Sequence, residues 1–184
     1  AGGQSLISFI SIFFLAFIGN NFSGFSIAIV FCAVLVPFMI ENLCLGRSNS
    51  KRVFMGDAGS MMLGFAIVWL LVDLSQGVNR SFAPVTALWI FSIPLIDFFS
   101  TIFRRIVKKQ SPFKPDRGHL HHILIQKGFG ELKSLLVILF LTLIISFIGV
   151  LGELLKISEW KMFYGFIFIF LLYSSYSLKS YKHP

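Results

Sequence analysis

Two short strings hold most of the side chains that could do chemistry. In Ser111-Pro112-Phe113-Lys114-Pro115-Asp116-Arg117-Gly118-His119-Leu120-His121-His122, three of the chain's four histidines fall within four positions. Anion binding is one use for such a set. Arg117 offers a planar fork of donors to a phosphate, and His119, His121 and His122 add donors and general acids near neutral pH. Zinc is the other use, since imidazole is a common ligand. No cysteine or Glu-x-x-His pattern stands beside the histidines, which lowers the zinc reading.

The second string is Lys51-Arg52-Val53-Phe54-Met55-Gly56-Asp57-Ala58-Gly59-Ser60, placed where a basic loop enters an apolar run. Asp57 is expected at the N-terminus of a helix. There it either caps an orphan backbone N–H or ligands a divalent cation that holds a phosphate beside the positive end of the helix. Lys51 and Arg52 add attraction for phosphate or are ordinary loop charge, and Gly59 and Gly64 read as helix-packing residues. A third candidate is Asp97, an ionisable residue inside an apolar segment. It lies close to the basic Arg104-Arg105 pair, so it is read as structural, pairing with a basic residue or capping a break at Pro94.

These residues need a scaffold, and the composition says which kind. Of 184 residues, 56% are hydrophobic and only 13% charged, and phenylalanine alone takes 23 positions. Soluble domains run near 45–50% apolar and about 25% charged, and a soluble globule could not hide this much apolar surface. The chain reads as an integral membrane protein. The net charge of +8 is then a matter of loop placement, and no nucleic-acid partner is expected. Cys32 and Cys44 make no disulfide framework.

A spanning helix needs about 17–25 apolar residues. The charge-free stretch from Ala1 to Ile40 is long enough for two, with Gly19-Asn20-Asn21 as the turn between them. Six spans follow: about Ser5–Gly19, Gly24–Ile40, Ala58–Leu74, Pro84–Phe103, Ser134–Gly152 and Met162–Leu178. The expected fold is all-α, a polytopic bundle forming a single membrane domain over 1–184. Six spans place 13 of the 16 Lys+Arg on one side, which the positive-inside rule makes cytoplasmic. Two large loops lie on that side, at about 41–56 and 104–133; the histidine string lies in the second, and the other string runs from the first into the third span. Trp160, Tyr164, Tyr173 and Tyr176 sit where interface anchors belong, near the ends of the last span.

Taken together, "KRVFMGDAGSMMLGF", "PVTALWIFSIPLIDFFSTIFRR" and "SPFKPDRGHLHH" resemble the polyprenyl-phosphate N-acetylhexosamine-1-phosphate transferases. The resemblance is clear from Ala1 to Phe129 and fades through the last two spans. It implies a multi-pass enzyme of the bacterial cytoplasmic (inner) membrane, with its active site on the cytoplasmic face. Such an enzyme moves N-acetylglucosamine-1-phosphate, or a related N-acetylhexosamine-1-phosphate, from a UDP-sugar to undecaprenyl phosphate and releases UMP. This is the first membrane step of a cell-envelope polysaccharide such as O-antigen. The resemblance further implies Mg²⁺, with Mn²⁺ as an alternative, on Asp57. It implies uracil stacking on Phe54 and a sugar-nucleotide loop built on Asp116, Arg117, His119, His121 and His122, with Lys51 on the substrate. An oligomer is compatible with the sequence.

Two upstream motifs of that family, an Asp-Asp pair and an Asn/Asp-Gly-rich string, are not in these residues. Ala1-Gly2-Gly3 resembles the end of the second. The chain is therefore expected to be the C-terminal part of a longer protein and to be inactive alone. The alternative is a polytopic transporter or metal-handling protein with a histidine-bearing cytoplasmic loop.

Overall fold

A computed structural model describes residues 1–43, 53–109, 111 and 119–180. Eight helices carry the fold among them: α1 (Gly2–Ile18), α2 (Phe22–Asn42), α3 (Gly56–Ser75), α4 (Pro84–Ile90), α5 (Ser92–Val107), α6 (Leu120–Gln126), α7 (Glu131–Leu154) and α8 (Glu159–Ser180). The all-α expectation holds, and the apolar runs become helices within a few residues of their expected bounds. The turn at Gly19-Asn20-Asn21 also holds. Asn20 takes a left-handed φ of 54°, which asparagine tolerates better than most residues, and the Asn21 side chain caps α2 by accepting from Gly24 N–H at 2.9 Å.

Among the described residues four helices are long and apolar enough to cross a bilayer: α2, α3, α7 and α8. The α4–α5 pair makes a fifth if it counts as one span. The expected six is one too many on this measure. The helix in question is α1, whose 17 residues are short for a span. Its packing explains how a short helix serves. Phe9, Ile12, Leu15 and Ala16 are buried, and α1 lies against α2, α3, α4 and α7, so it meets protein more than lipid. The outer helices instead turn large apolar side chains outward, among them Val34, Phe65, Phe140 and Phe168. The chain is a multi-pass membrane protein.

The fourth span is not straight. Its two helices meet at 83°, and the break falls at Phe91, three residues before Pro94. Proline has no N–H for the carbonyl four residues back, and its ring crowds that carbonyl. The freed carbonyl is that of Ile90, and Ser8 Oγ donates to it at 3.3 Å. The break therefore comes from Pro94, as expected, but α1 satisfies it and Asp97 does not.

Glycines set how closely the helices approach. A Cβ on Gly149 would lie 2.3 Å from Trp89 Cβ, so only glycine lets α7 meet α4 there. Trp89 in turn donates from Nε1 to the Met162 carbonyl at 3.2 Å, tying α4 to α8. Gly149→Val is expected to lower the thermal midpoint measurably, since overpacking of this kind costs about 1–3 kcal/mol or more. A midpoint equal to wild type in detergent would refute this packing. Gly59 and Gly64 do not have the packing role expected of them. A Cβ on Gly64 would meet nothing, and one on Gly59 would meet only Met55.

Contacts sort the helix ends into two sets. Gly19 lies against Ser81, and Gly24 against Leu74. Glu153 accepts from Ala83 N–H and Thr86 Oγ1, and Arg80 pairs with Glu159 at 2.8 Å. These bring residues 19–24, 74–86 and 153–159 to one end. At the other end, Gly2 lies against Phe38, Met39 and Met55, and Gly3 against Leu139. Arg104 Nη1 donates to Ser177 Oγ at 2.7 Å. This second end gathers the start of α1, the end of α2, the start of α3, the end of α5, α6, the start of α7 and the end of α8. It is the basic end.

Candidate active site at the basic end

At the start of α3, Gly56 has φ of +71°, a left-handed turn that suits glycine. The helix opens with Met55 as the residue before its first turn, and no side chain caps it. Asp57 is two positions past the N-cap, Met55, so the capping reading fails. Its backbone carbonyl accepts from Ser60 Oγ at 2.9 Å. The Asp57 side chain is exposed and has no hydrogen bond or ion pair among the described residues. A bare carboxylate in the first turn of a 20-residue helix stands at the positive end of that helix. Phe54 precedes it with 91% of its surface exposed, a free aromatic face beside a free carboxylate.

The histidine group is built differently. His119 is the residue before the first turn of α6, and its backbone is extended. His121 and His122 lie in that first turn. The rings form a row: His119 and His121 are 6.3 Å apart and nearly parallel, and His121 and His122 are 3.9 Å apart. Partial loss of solvent, then the neighbouring His122 and His119, push the His121 imidazole below its ordinary range, and Asp97 opposes them. His121 is accordingly neutral at pH 7.

Asp97 holds this group in place. Its Oδ1 accepts from Leu120 N–H at 3.0 Å and from Tyr173 Oη at 2.6 Å, and its Oδ2 meets His119 Nδ1 at 3.0 Å. One carboxylate thus joins α5, α6 and α8. The sequence reading of Asp97 as a partner for a basic residue holds, with His119 as that residue, whereas its reading as a cap for the Pro94 break is corrected; its other partners are the free amide of α6 and Tyr173. Tyr173 is likewise not a plain interface anchor. Trp160 and Tyr164 are exposed, as anchors are, at 72% and 66%. Lys127, just past α6, donates to Tyr176 Oη and lies over its ring, 4.4 Å from the centroid. Sequence reasoning singled out Asp97 but read it as structural, and it missed Tyr173 as part of the site. The only signal was an acid in an apolar helix.

The structure brings His119, His121 and His122 together and puts Asp57 and Phe54 at the same end of the bundle. It shows no direct contact between the two groups. They are joined through Met55 against Gly2, Gly3 against Leu139, and the packing of Val137 and Ile138 under Leu120 and Leu124. Lys51, Asp116 and Arg117 lie outside the described residues, as do Arg52 and Cys44.

The donor set bears on a metal. Mg²⁺ commonly takes one or two protein carboxylates and completes its shell with phosphate and water. Asp57, exposed and unengaged, fits one such ligand. Among the described residues no three His, Cys, Asp or Glu side chains group to hold an ion, so the metal-handling alternative finds no support.

Residues 1–75 match glycosyl transferase family 4. Most of the chain is similar to undecaprenyl-phosphate alpha-N-acetylglucosaminyl 1-phosphate transferases. It is 40% identical to that of Haemophilus influenzae over 172 residues, 94% of this chain and 48% of the relative. It is 41% identical to that of Pasteurella multocida over 170 residues, 92% of this chain and 48% of the relative. With that of Escherichia coli K12 the identity is 38% over 174 residues, 94% and 47% of the two chains. The likeness therefore runs on through α7 and α8, where the sequence motifs alone suggested that it fades. The chain spans about half the length of the curated relatives it matches. No solved structure matches it significantly. The transporter reading has no counterpart among these relatives.

Proposed function

We propose that the protein carrying this chain transfers N-acetylglucosamine-1-phosphate, or a related N-acetylhexosamine-1-phosphate, from a UDP-sugar to undecaprenyl phosphate. UMP is released, at the cytoplasmic face of the bacterial inner membrane, as the first membrane step of an envelope polysaccharide. The observation that carries this reading is the gathering of Asp57, Phe54 and the histidine row at the basic end of a membrane bundle. A lipid acceptor and a water-soluble nucleotide can both reach such an edge.

The chemistry asks for that arrangement. An oxygen of the acceptor phosphate attacks the β-phosphorus of the UDP-sugar. One P–O bond forms, the bond to the α-phosphate oxygen breaks, and UMP leaves with the electron pair. Two anions must meet, so cationic and N–H donors are needed where charge develops. Phe54 offers its face to the uracil. His119, His121 and His122, with Lys51 and Arg117, bind and orient the diphosphate, and Asp116 belongs to the same substrate-binding loop as the histidines. Asp57 holds Mg²⁺ or Mn²⁺, and a bound ion supplies charge neutralisation at the diphosphate.

The test uses membranes carrying the full reading frame, UDP-N-acetylglucosamine labelled at the β-phosphate, Mg²⁺ and undecaprenyl phosphate. Label is expected in the lipid extract, with UMP released. Sugar in the lipid without the phosphate label would mean ordinary glycosyl transfer and a wrong mechanism.

A further inference from the structure

The α5–α8 contact is a polar seam in an otherwise apolar region. Asp97 meets Tyr173, Ser100 Oγ meets Ser174 Oγ at 2.7 Å, and Arg104 meets Ser177. Positions 97, 100 and 104 are spaced three and four apart and so lie on one face of α5. Hydrogen bonds of this kind fix the register of packed helices in a membrane. The seam therefore fixes Asp97, and Asp97 reaches out of it to His119. Its side chain is only 18% exposed and that of His119 38%, so the pair meets at the rim of the bundle.

The hydrogen bonds also determine where the proton sits. Leu120 N–H and Tyr173 O–H both donate to Oδ1, so Asp97 is the acceptor in those two bonds. A carboxylate has only acceptors to offer Nδ1. The ring atom facing Oδ2 must then be Nδ1–H. We propose that Asp97 is a positioning residue for the histidine row: it fixes the ring orientation and tautomer of His119, leaving the Nε2 lone pair as the proton acceptor that meets a protonated oxygen of a substrate phosphate. The inference rests on the transferase reading above and deepens it by naming a residue that acts through another. Tyr173 and the seam serve the same end, since they hold the carboxylate that holds the ring. Carboxylates that orient an imidazole in this way are conspicuous contributors in enzyme sites.

The structure makes a distinctive forecast for Asp97→Asn. The amide oxygen would keep the place of Oδ1, because Leu120 and Tyr173 both donate there. The amide NH₂ would then face Nδ1 and donate to it, which forces His119 into the Nε2–H tautomer. The experiment uses full-length protein with ¹⁵N-labelled histidine, the His119 signal being assigned by its loss in His119→Gln. Wild type is expected to show protonated Nδ1 and bare Nε2 for neutral His119, and Asp97→Asn the reverse. In the transfer assay Asp97→Asn is expected to lower kcat about 10- to 100-fold, with the donor KM moving by less than about threefold. Asp97→Glu keeps an acceptor-only carboxylate, so it should keep the wild-type tautomer and recover part of the lost kcat. If Asp97→Asn does not accumulate, the wild-type spectrum and Asp97→Glu decide. An Nε2–H tautomer in wild type overturns the proposal, as does a tautomer altered in Asp97→Glu. A wild-type kcat in Asp97→Asn overturns it as well. No transfer by wild type sinks the transferase reading and this proposal together, whereas wild-type transfer with the wrong tautomer sinks the proposal alone.

Discussion

Asp57→Ala is expected to lower phosphosugar transfer by about 10²–10³-fold or more while leaving the amount of protein in the membrane unchanged. The structure separates these two effects. The Asp57 side chain is exposed and engages no described side chain, so its loss breaks no hydrogen bond or ion pair among the described residues. Its one structural contribution is a negative charge in the first turn of α3, worth about 0.3–1 kcal/mol for an exposed group. A residue kept only for that purpose would give a slightly lower thermal midpoint and unchanged kinetics. A residue that ligands a divalent ion gives the opposite pattern, a nearly unchanged midpoint and a collapsed rate. The measurement is label transfer from β-phosphate-labelled donor across a range of Mg²⁺ concentrations, in membranes carrying the full reading frame. Wild-type rates in Asp57→Ala would remove the metal assignment. Asp57→Asn sharpens the comparison, since it keeps the side-chain shape and one oxygen and loses the charge.

Helix positions were legible because long apolar runs broken by Gly-Asn-Asn or by charge can do little else in a bilayer. The side on which both motifs gather was legible from charge, and the contacts agree: Gly2 against Met55 and Gly3 against Leu139 place the starts of α1, α3 and α7 at one end. The count of spans was less so, because length and hydropathy do not tell a lipid-facing helix from one like α1, which buries Phe9, Ile12, Leu15 and Ala16 against its neighbours. Asp97 was visible as an anomaly, yet its use was not. Its partners are 22, 23 and 76 residues away in sequence, and no local spacing shows that they meet. The bend at Phe91 had the same limit. Pro94 announces a break, but the hydroxyl that satisfies Ile90 comes from Ser8, in a different helix.

Among the histidines the largest loss is expected at His119. Sequence alone treats His119 and His121 as equals. The structure distinguishes them. His119 has one ring nitrogen occupied by Asp97 and so offers the other in a fixed direction, and preorganised donors and acceptors contribute more to catalysis than mobile ones. His121 is exposed, and partial loss of solvent with the adjacent His122 and His119 keeps it neutral at pH 7. It therefore adds a weaker dipole and no charge. His119→Ala is expected to lower kcat by about 10²–10³-fold, and His121→Ala by about tenfold or less. The pH sign follows from the lowered His121 value. Below the ordinary imidazole value of 6.5 the unfolded chain takes up a proton here that the folded chain resists. Stability at this position therefore falls as pH drops, and His121→Gln should flatten that part of the profile. Steady-state transfer kinetics of the two alanine variants, read beside their thermal midpoints at pH 5.5 and 7.5, test both points. Equal losses in the two variants would mean that Asp97 gives His119 no advantage, and unchanged kinetics in both would make the histidine row an inert feature of the loop.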